Sequence, residues 1–250
     1  MKLDPDFNKQ IIPLEGKPLI YFNEAEIIQQ LEYLLTKAVQ KRAQGNVAIS
    51  FSGGVDSTAI AYICDQLGID FTLISVGLEG SDDLSWAKEI AEHYGWNLQQ
   101  RILSFEQVRE IILQTVSVLK TSDFVKIGVG ATLYAVLEEA QGFDIVLGGL
   151  GSEEIFAGYE KHLVAWKENR LQEETFAGLN ILWEKDLLRD TTVGNHFNIK
   201  LGCPFLDKDL VEYALQIDPN LKINSEHKKL ILRKTLLAMG LQEKYAYRKK

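Results

Sequence analysis

The stretch Ile49–Ala61, ISFSGGVDSTAIA, constrains the fold more than any other part of the chain. A short apolar run, NVAISF, breaks into two glycines, an aspartate and small hydroxyl residues, and apolar residues then resume at helical spacing. That order predicts a buried strand, a tight loop and a helix from about Asp56 to Gln66. The alternation continues. DFTLISVGL reads as a strand, and SDDLSWAKEIAEHYG as a capped helix with Leu84, Ala87, Ile90, Ala91 and Tyr94 inward. LQQRIL reads as a strand, FEQVREIILQTVSVL and IGVGATLYAVLEEAQ as helices, and DIVLGG as another strand. Strands alternating with helices imply an α/β fold, a doubly wound parallel sheet covered on both faces. After about Tyr159 the pattern becomes helical, so a helical C-terminal portion is expected.

Upstream of the loop, Pro5, Pro13 and Pro18 predict an irregular arm over the first twenty or so residues. Asn23 with Glu26 at the capping-box position opens a helix whose apolar face is Ile27, Leu31, Leu34, Leu35 and Ala38, and Gly45 ends it. A chain of 250 residues is expected to form one sizeable domain. The net charge of −8 argues against a nucleic-acid partner, whose footprint is a basic patch. No apolar run approaches the ~20 residues of a membrane-spanning helix, and the start lacks a signal-peptide pattern, so no membrane partner is expected. Cys64 and Cys203 form no CxxC pair. A disulfide framework or zinc site is therefore not expected, and a cytoplasmic setting is. His93, His162, His196 and His227 lack metal-ligand spacing. Trp86, Trp96, Trp166 and Trp183 read as packing residues.

The loop itself suits a phosphate or pyrophosphate. In parallel α/β sheets, ligands sit beyond the carboxyl ends of the strands, and Ser50–Ser57 lies at such an end. Gly53 and Gly54 permit backbone angles that let successive N–H groups converge, and the helix that follows adds partial positive charge at its N-terminus. Ser52, Ser57 and Thr58 offer hydroxyls. Asp56 would repel a bare anion, but suits a Mg²⁺ that bridges to phosphate oxygens. No GKS follows, so a Walker-type kinase or GTPase loop is a poor match.

SGGVDS in this context resembles the pyrophosphate-binding loop of the ATP pyrophosphatases. A second stretch, DIVLGGLGSEEIFAGYEKH (Asp144–His162), resembles the "GEGSDE.FGGY" segment of asparagine synthetases and the related β-lactam synthetases, with Ser152 as a helix cap. RDTTVGNHFNIKLGCPFLDKDLVEYALQI (Arg189–Ile217) is similar to that family's segment ending in "PFLD…LVE.A". HKKLILRKTLLAMG…YRKK resembles its "K..LR.A" helix and basic "R.K" element. The four stretches come in family order and cover about Val47 to Lys250, and the chain is closest to asparagine synthetase domain-containing proteins. Three positions depart: Gly148 stands for the family's serine, Leu150 for its "GEG" glutamate, and Gly202 for the arginine before "PFLD".

The resemblance implies an adenine nucleotide alpha hydrolase-like (HUP-type) sheet. It divides the domain into an N-terminal arm and helix (1–45), a nucleotide-binding core (46–160) and an acceptor-side helical portion (161–250), with no glutaminase domain. It implies ATP and Mg²⁺, and activation of a carboxylate, aspartate by default, as an acyl-adenylate that ammonia converts to the amide; the alternatives are a non-catalytic nucleotide-binding homologue acting through partners, or a tRNA-modifying or sulfur-transfer enzyme with the same loop. ATP and pyrophosphate would contact Ser50, Ser52, Gly53, Gly54, Val55, Asp56, Ser57, Ser75, Val76, Gly148 and Gly149. Asp56 and Glu153 would hold the metal. Lys250 would stabilise the adenylating transition state, and Glu154 would replace the missing base, since leucine cannot take a proton. The implied partners are the carboxylate and ammonia, with a separate glutaminase subunit and a homodimer both open.

Overall fold

The computed structural model describes residues 5–248. In chain order they run α1 (Phe7–Ile11), α2 (Glu24–Arg42), β1 (Val47–Ser50), α3 (Val55–Gln66), β2 (Phe71–Leu78), α4 (Asp82–Tyr94) and β3 (Leu98–Leu103). Then come α5 (Phe105–Leu119), α6 (Phe124–Glu139), β4 (Ile145–Leu147), α7 (Ser152–Ile155), α8 (Glu160–Lys167), α9 (Leu171–Asn180) and α10 (Leu188–Phe197). The last elements are β5 (Lys200–Gly202), α11 (Lys208–Leu215), α12 (Pro219–Lys222), α13 (Leu230–Ala238) and α14 (Glu243–Ala246). These elements form two compact units. Of the described residues, one comprises 42–148 and 184–202; the other comprises 5–41, 149–183 and 203–248.

The first unit holds a five-stranded, all-parallel sheet in the order β3-β2-β1-β4-β5. The α/β, doubly wound expectation is met. β1 is central and its Val47, Ala48 and Ile49 are fully buried, as a strand covered on both faces requires. It pairs Val47 with Phe71 on one side and with Ile145 on the other. The start of β1 is tied to β4 by the Asp144 carboxylate, which accepts from the Asn46 N–H at 2.8 Å. Ala48, Ile74 and Val146 of the sheet pack with Tyr134, Leu137 and Val193 of α6 and α10. The fifth strand, β5, falls in a stretch expected to be helical. It pairs with β4 through Ile145↔Lys200 and Leu147↔Gly202.

The second unit is helical. The expected irregular arm is anchored: Phe7, Ile11 and Leu14 are buried, and Pro13 lies in the first turn of a short 3-10 helix, where its missing N–H costs nothing. Asn23 accepts from the N–H groups of Ala25 and Glu26, and its amide donates to the Glu26 carboxylate at 2.9 Å. The helical pattern expected after about Tyr159 is divided into short helices. α8 gives way at Asn169, whose φ of +55° is left-handed, and a π-turn spans Trp183–Leu187. Asp207 caps α11 and also pairs with Lys41 at 3.3 Å, so the aspartate of PFLD has a structural task.

Candidate functional site

The glycine loop lies in the sheet unit, at the place where the winding reverses. β1 is followed by β2 on one flank and neighboured by β4 on the other, the topological switch point at which open α/β sheets bind ligands. The Phe51 N–H still pairs with the Ile74 carbonyl at 2.8 Å, and the chain then leaves the sheet. Gly53 takes φ +66°, which a side chain would resist, and Gly54 is extended as the residue before α3. The Ser57 hydroxyl donates to the Gly54 carbonyl at 3.1 Å and the Gly54 N–H is 3.4 Å from Ser52 Oγ. No side chain caps the N-terminus of α3, so its partial positive charge is left for another group. Val55 is buried and Asp56 half-buried in its first turn.

Two hydroxyls of this unit deserve explanation on physical grounds. Ser75 follows Ile74, the partner of Ser50, and so lies just beyond the end of β1. Its Oγ is buried and makes no hydrogen bond; Thr58 Oγ1, in the first turn of α3, is the same. A buried hydroxyl without a partner costs about 1–3 kcal/mol and asks for a ligand or a water. Val76 is partly buried beside Ser75. At the end of β4 the Gly148 N–H is spent on the Gly202 carbonyl at 2.9 Å, and space lies open where a Cβ would stand.

The acidic stretch belongs to the helical unit. Gly151 has φ +96°, and a Cβ there would fall 2.4 Å from Leu206. Gly151 therefore precedes α7, and Ser152 is the first helical residue rather than the expected cap. The reason is that only glycine fits both that backbone angle and that contact. Glu153 Oε1 accepts from the Lys229 ammonium at 2.7 Å, while Oε2 is buried without a hydrogen bond. Lys229 is itself buried, in a left-handed conformation of φ +55° at the start of α13. A Cβ on Gly158 would fall 1.6 Å from Glu153 Oε2, so this glycine leaves the room that the ion pair fills.

Glu154 is buried, not turned to solvent, and accepts from the Tyr159 hydroxyl at 2.9 Å. Its stem lies 3.4 Å from where a Cβ on Gly178 of α9 would stand. The Tyr159 N–H in turn donates to His162 Nδ1 at 3.2 Å, which gives this histidine a capping task. Lys161 hydrogen-bonds Glu174 at 2.7 Å and holds that carboxyl below its ordinary value. Lys229 was not singled out from the sequence. It lies in HKKLILR, and its position ahead of an apolar helix carries no sign of its buried contact with an acid 76 residues away.

Among the described residues no three acidic, histidine or cysteine side chains gather into a metal-holding group. A Mg²⁺ that arrives with a nucleotide needs only one or two carboxylates beside the phosphates, so Asp56 on the loop fits that kind of site. Lys249 and Lys250 lie outside the described residues; Arg248 before them is buried, and its carbonyl accepts from Arg233 at 3.4 Å. Cys64 is buried with its thiol pushed up to about 12, which argues against an activated nucleophile, and Cys203 is buried and in no disulfide.

A family model described as asparagine synthase matches residues 30–175 and 164–250. A protein of Methanocaldococcus jannaschii named as an asparagine synthetase (glutamine-hydrolyzing) is 34% identical over 216 residues, covering 82% of this chain and 40% of its own. Asparagine synthetase (glutamine-hydrolyzing) 2 of Lotus japonicus is 30% identical, covering 77% of this chain and 35% of its own. The chain thus spans well under half the length of these relatives. Among solved structures it is similar to an NH3-dependent NAD synthetase from Campylobacter jejuni, at 14% identity and a TM-score of 0.40, covering 71% of this chain and 94% of that one.

Proposed function

Because the chain belongs to the asparagine synthase family, we propose that it is an ATP-dependent amide ligase that adenylates a carboxylate, aspartate by default, and passes it to ammonia. A free carboxylate has a poor leaving group. Attack of its oxygen on the α-phosphorus of ATP forms the acyl-adenylate and breaks the bond to pyrophosphate; ammonia then attacks the acyl carbon and AMP departs. Such chemistry asks the protein mainly to position reactants and to meet the charge on the departing pyrophosphate.

The observation that carries this reading is the loop at the end of β1: Gly53 left-handed, the α3 N-terminus uncapped, and the buried Ser75 and Thr58 hydroxyls without partners. In our assignment the backbone of Ser52–Ser57 cradles pyrophosphate, Ser50, Val76, Gly148 and Gly149 border the nucleotide, and Ser75 hydrogen-bonds it. Asp56 is assigned to Mg²⁺, which when bound would neutralise phosphate charge. Glu153 is assigned to the same metal–pyrophosphate group, with Lys229 fixing its Oε1. Lys250 is assigned to the transition state. Glu154, held by Tyr159, is the candidate proton acceptor. The whole chain acts as one functional domain, a separate glutaminase subunit is a fitting source of ammonia, and two cysteines outside any disulfide suit the cytoplasm.

The test follows AMP and pyrophosphate release from radiolabelled ATP across a panel of carboxylates with ammonia. Carboxylate-dependent AMP formation that Asp56→Asn and Gly54→Val each reduce at least about a hundredfold is the expected result, the size of losing one main electrostatic contact. ATP binding by calorimetry that is unchanged in Gly54→Val would refute the loop assignment.

A further inference from the structure

The α2 helix has a second organised face. Its inward side carries Ile27, Leu31, Leu34 and Leu35, all buried. Glu26, Gln29, Gln30 and Tyr33 recur at the i, i+3, i+4 and i+7 spacing of a neighbouring stripe, and all four are exposed. They form one wall of a groove of about 870 Å³ that lies wholly within the helical unit. The strap of residues 20–23 and Tyr213 of α11 form the other wall. The strap is fixed in place. The N–H groups of Ile20 and Tyr21 donate to the Gln216 carbonyl at 3.0 and 3.3 Å, and the Asp218 N–H donates to the Tyr21 carbonyl at 3.0 Å. The Tyr21 and Tyr213 rings pack with their centres 4.1 Å apart and tilted by 34°. The groove is therefore preformed, and its size falls within the ~300–1,000 Å³ of small-molecule sites.

Its chemistry is one-sided. Tyr21, Phe22, Tyr33 and Tyr213 line it with aromatic rings, of which Phe22 is 60% and Tyr33 51% exposed. Among the described residues Glu26 is the one charged side chain in the lining. Its carboxylate accepts from the neutral Asn23 amide at 2.9 Å, and among the described residues no lysine or arginine pairs with it. Burial, with Tyr21 and Glu26 behind it, pushes the Tyr213 phenol up to about 12, so the ring stays neutral and its face electron-rich at ordinary pH. The chain itself shows what such a ring attracts: Lys37, one turn beyond Tyr33, holds its ammonium 4.7 Å from the centre of the Tyr33 ring. We propose that this groove binds a small organic cation, an amine or quaternary ammonium whose charge meets Glu26 and whose carbon shell rests on the aromatic rings. An anion would be repelled by Glu26, and a neutral apolar ligand would cover that carboxylate without a counter-charge. The net charge of −8 draws cations toward the chain. No residue of the groove is assigned to ATP, metal or acyl transfer, so its occupancy needs no ligase activity.

Saturation-transfer NMR of the full chain tests this, with choline and its uncharged isostere 3,3-dimethylbutan-1-ol as probes. Choline should bind saturably with a Kd of about 1 mM or tighter. The alcohol should bind at least about tenfold more weakly, because it lacks the charge that the rings and Glu26 read. Glu26→Gln keeps the hydrogen bond from Asn23 and removes the charge; Tyr213→Leu keeps the bulk and removes the ring. Each should weaken choline binding about three- to tenfold. Lys37→Ala takes a rival cation off Tyr33 and should tighten binding about two- to threefold, a gain that loss of folding cannot mimic. Choline that fails to bind below about 20 mM, or binds no better than the alcohol, overturns the proposal. So does binding that Glu26→Gln and Tyr213→Leu leave intact, or that Lys37→Ala weakens. A groove that takes a proline-rich peptide, the other ligand of aromatic-lined grooves, and no choline overturns it as well.

Discussion

Lys222 is a long cationic side chain that the fold has all but removed from water, and burial brings its ammonium down to about 7 from an ordinary 10.5. A lysine whose folded value is lowered costs stability in full below the folded value, and the cost fades as pH rises toward the unfolded value. Lys222→Met should therefore stabilise the protein by on the order of 3–5 kcal/mol at pH 7. The gain should shrink as pH approaches 10, as read from chemical denaturation of both proteins across that range. A pH-independent difference would remove burial of the charge as the cause. Leu150 poses the opposite problem, a missing titratable group. If ammonia must shed a proton at the acceptor step, a leucine there leaves the rate to climb toward alkaline pH, where free ammonia is abundant. Leu150→Glu should raise ammonia-dependent AMP release near neutrality by roughly tenfold or more, within the usual reach of a placed base. A brisk wild-type rate at pH 7 that Glu154→Gln does not lower would end both the deficit and the substitute-base reading.

Among the elements, β4 and β5 meet most tightly at Leu147↔Gly202. The Leu147 side chain leans across the glycine, and a Cβ on Gly202 would come within 2.4 Å of its Cδ2. Gly202→Arg, which puts back the residue that the family pattern carries, should destabilise the sheet by about 1–3 kcal/mol through overpacking. Leu147→Ala in the same chain should recover part of that loss in thermal melts. Additive losses would mean the two side chains do not compete. The same pair explains what the sequence did and did not disclose. β1 through β4 and α2 through α6 were legible because each is long enough to display a period or is bounded by glycine, serine or asparagine. β5 has three residues and one large apolar side chain, Leu201, so it has no alternation to read. The anchored N-terminal helix was hidden by its neighbouring prolines, of which Pro13 sits in the first turn of a short 3-10 helix, where it is tolerated. Of the proposed site, the loop glycines, Asp56 and Glu153 were picked out by their motifs. The partner of Glu153 was not, because Lys229 reaches it through a left-handed backbone angle and a packed interior, and neither leaves a mark in local sequence. Nor did anything local separate Glu154, buried against Tyr159, from its neighbour Glu153.

At the scale of the whole molecule, the helical unit is assembled from three separated segments. Its first segment is sewn to the last. Lys17 pairs with Glu212, Glu24 with Lys234 at 2.6 Å, and the N–H of Ile20 with the Gln216 carbonyl at 3.0 Å. Residues 5–22 should consequently show amide protection comparable to that of α11 in hydrogen exchange. Their deletion should lower the melting temperature by several degrees, as losing ~1–2 kcal/mol of packing does. Free exchange throughout residues 5–22 would contradict the buried positions of Phe7 and Ile11. The arrangement also sets a timetable for the chain as it is made. A ribosome adding about 5–20 residues per second delivers the partners of α2 some 10–40 s after α2 itself. Through that interval Ile27, Leu31, Leu34 and Leu35, all buried in the folded unit, have emerged without those later partners. A helix made early is thus among the last to find its place, and until then it is a natural surface for a chaperone to hold.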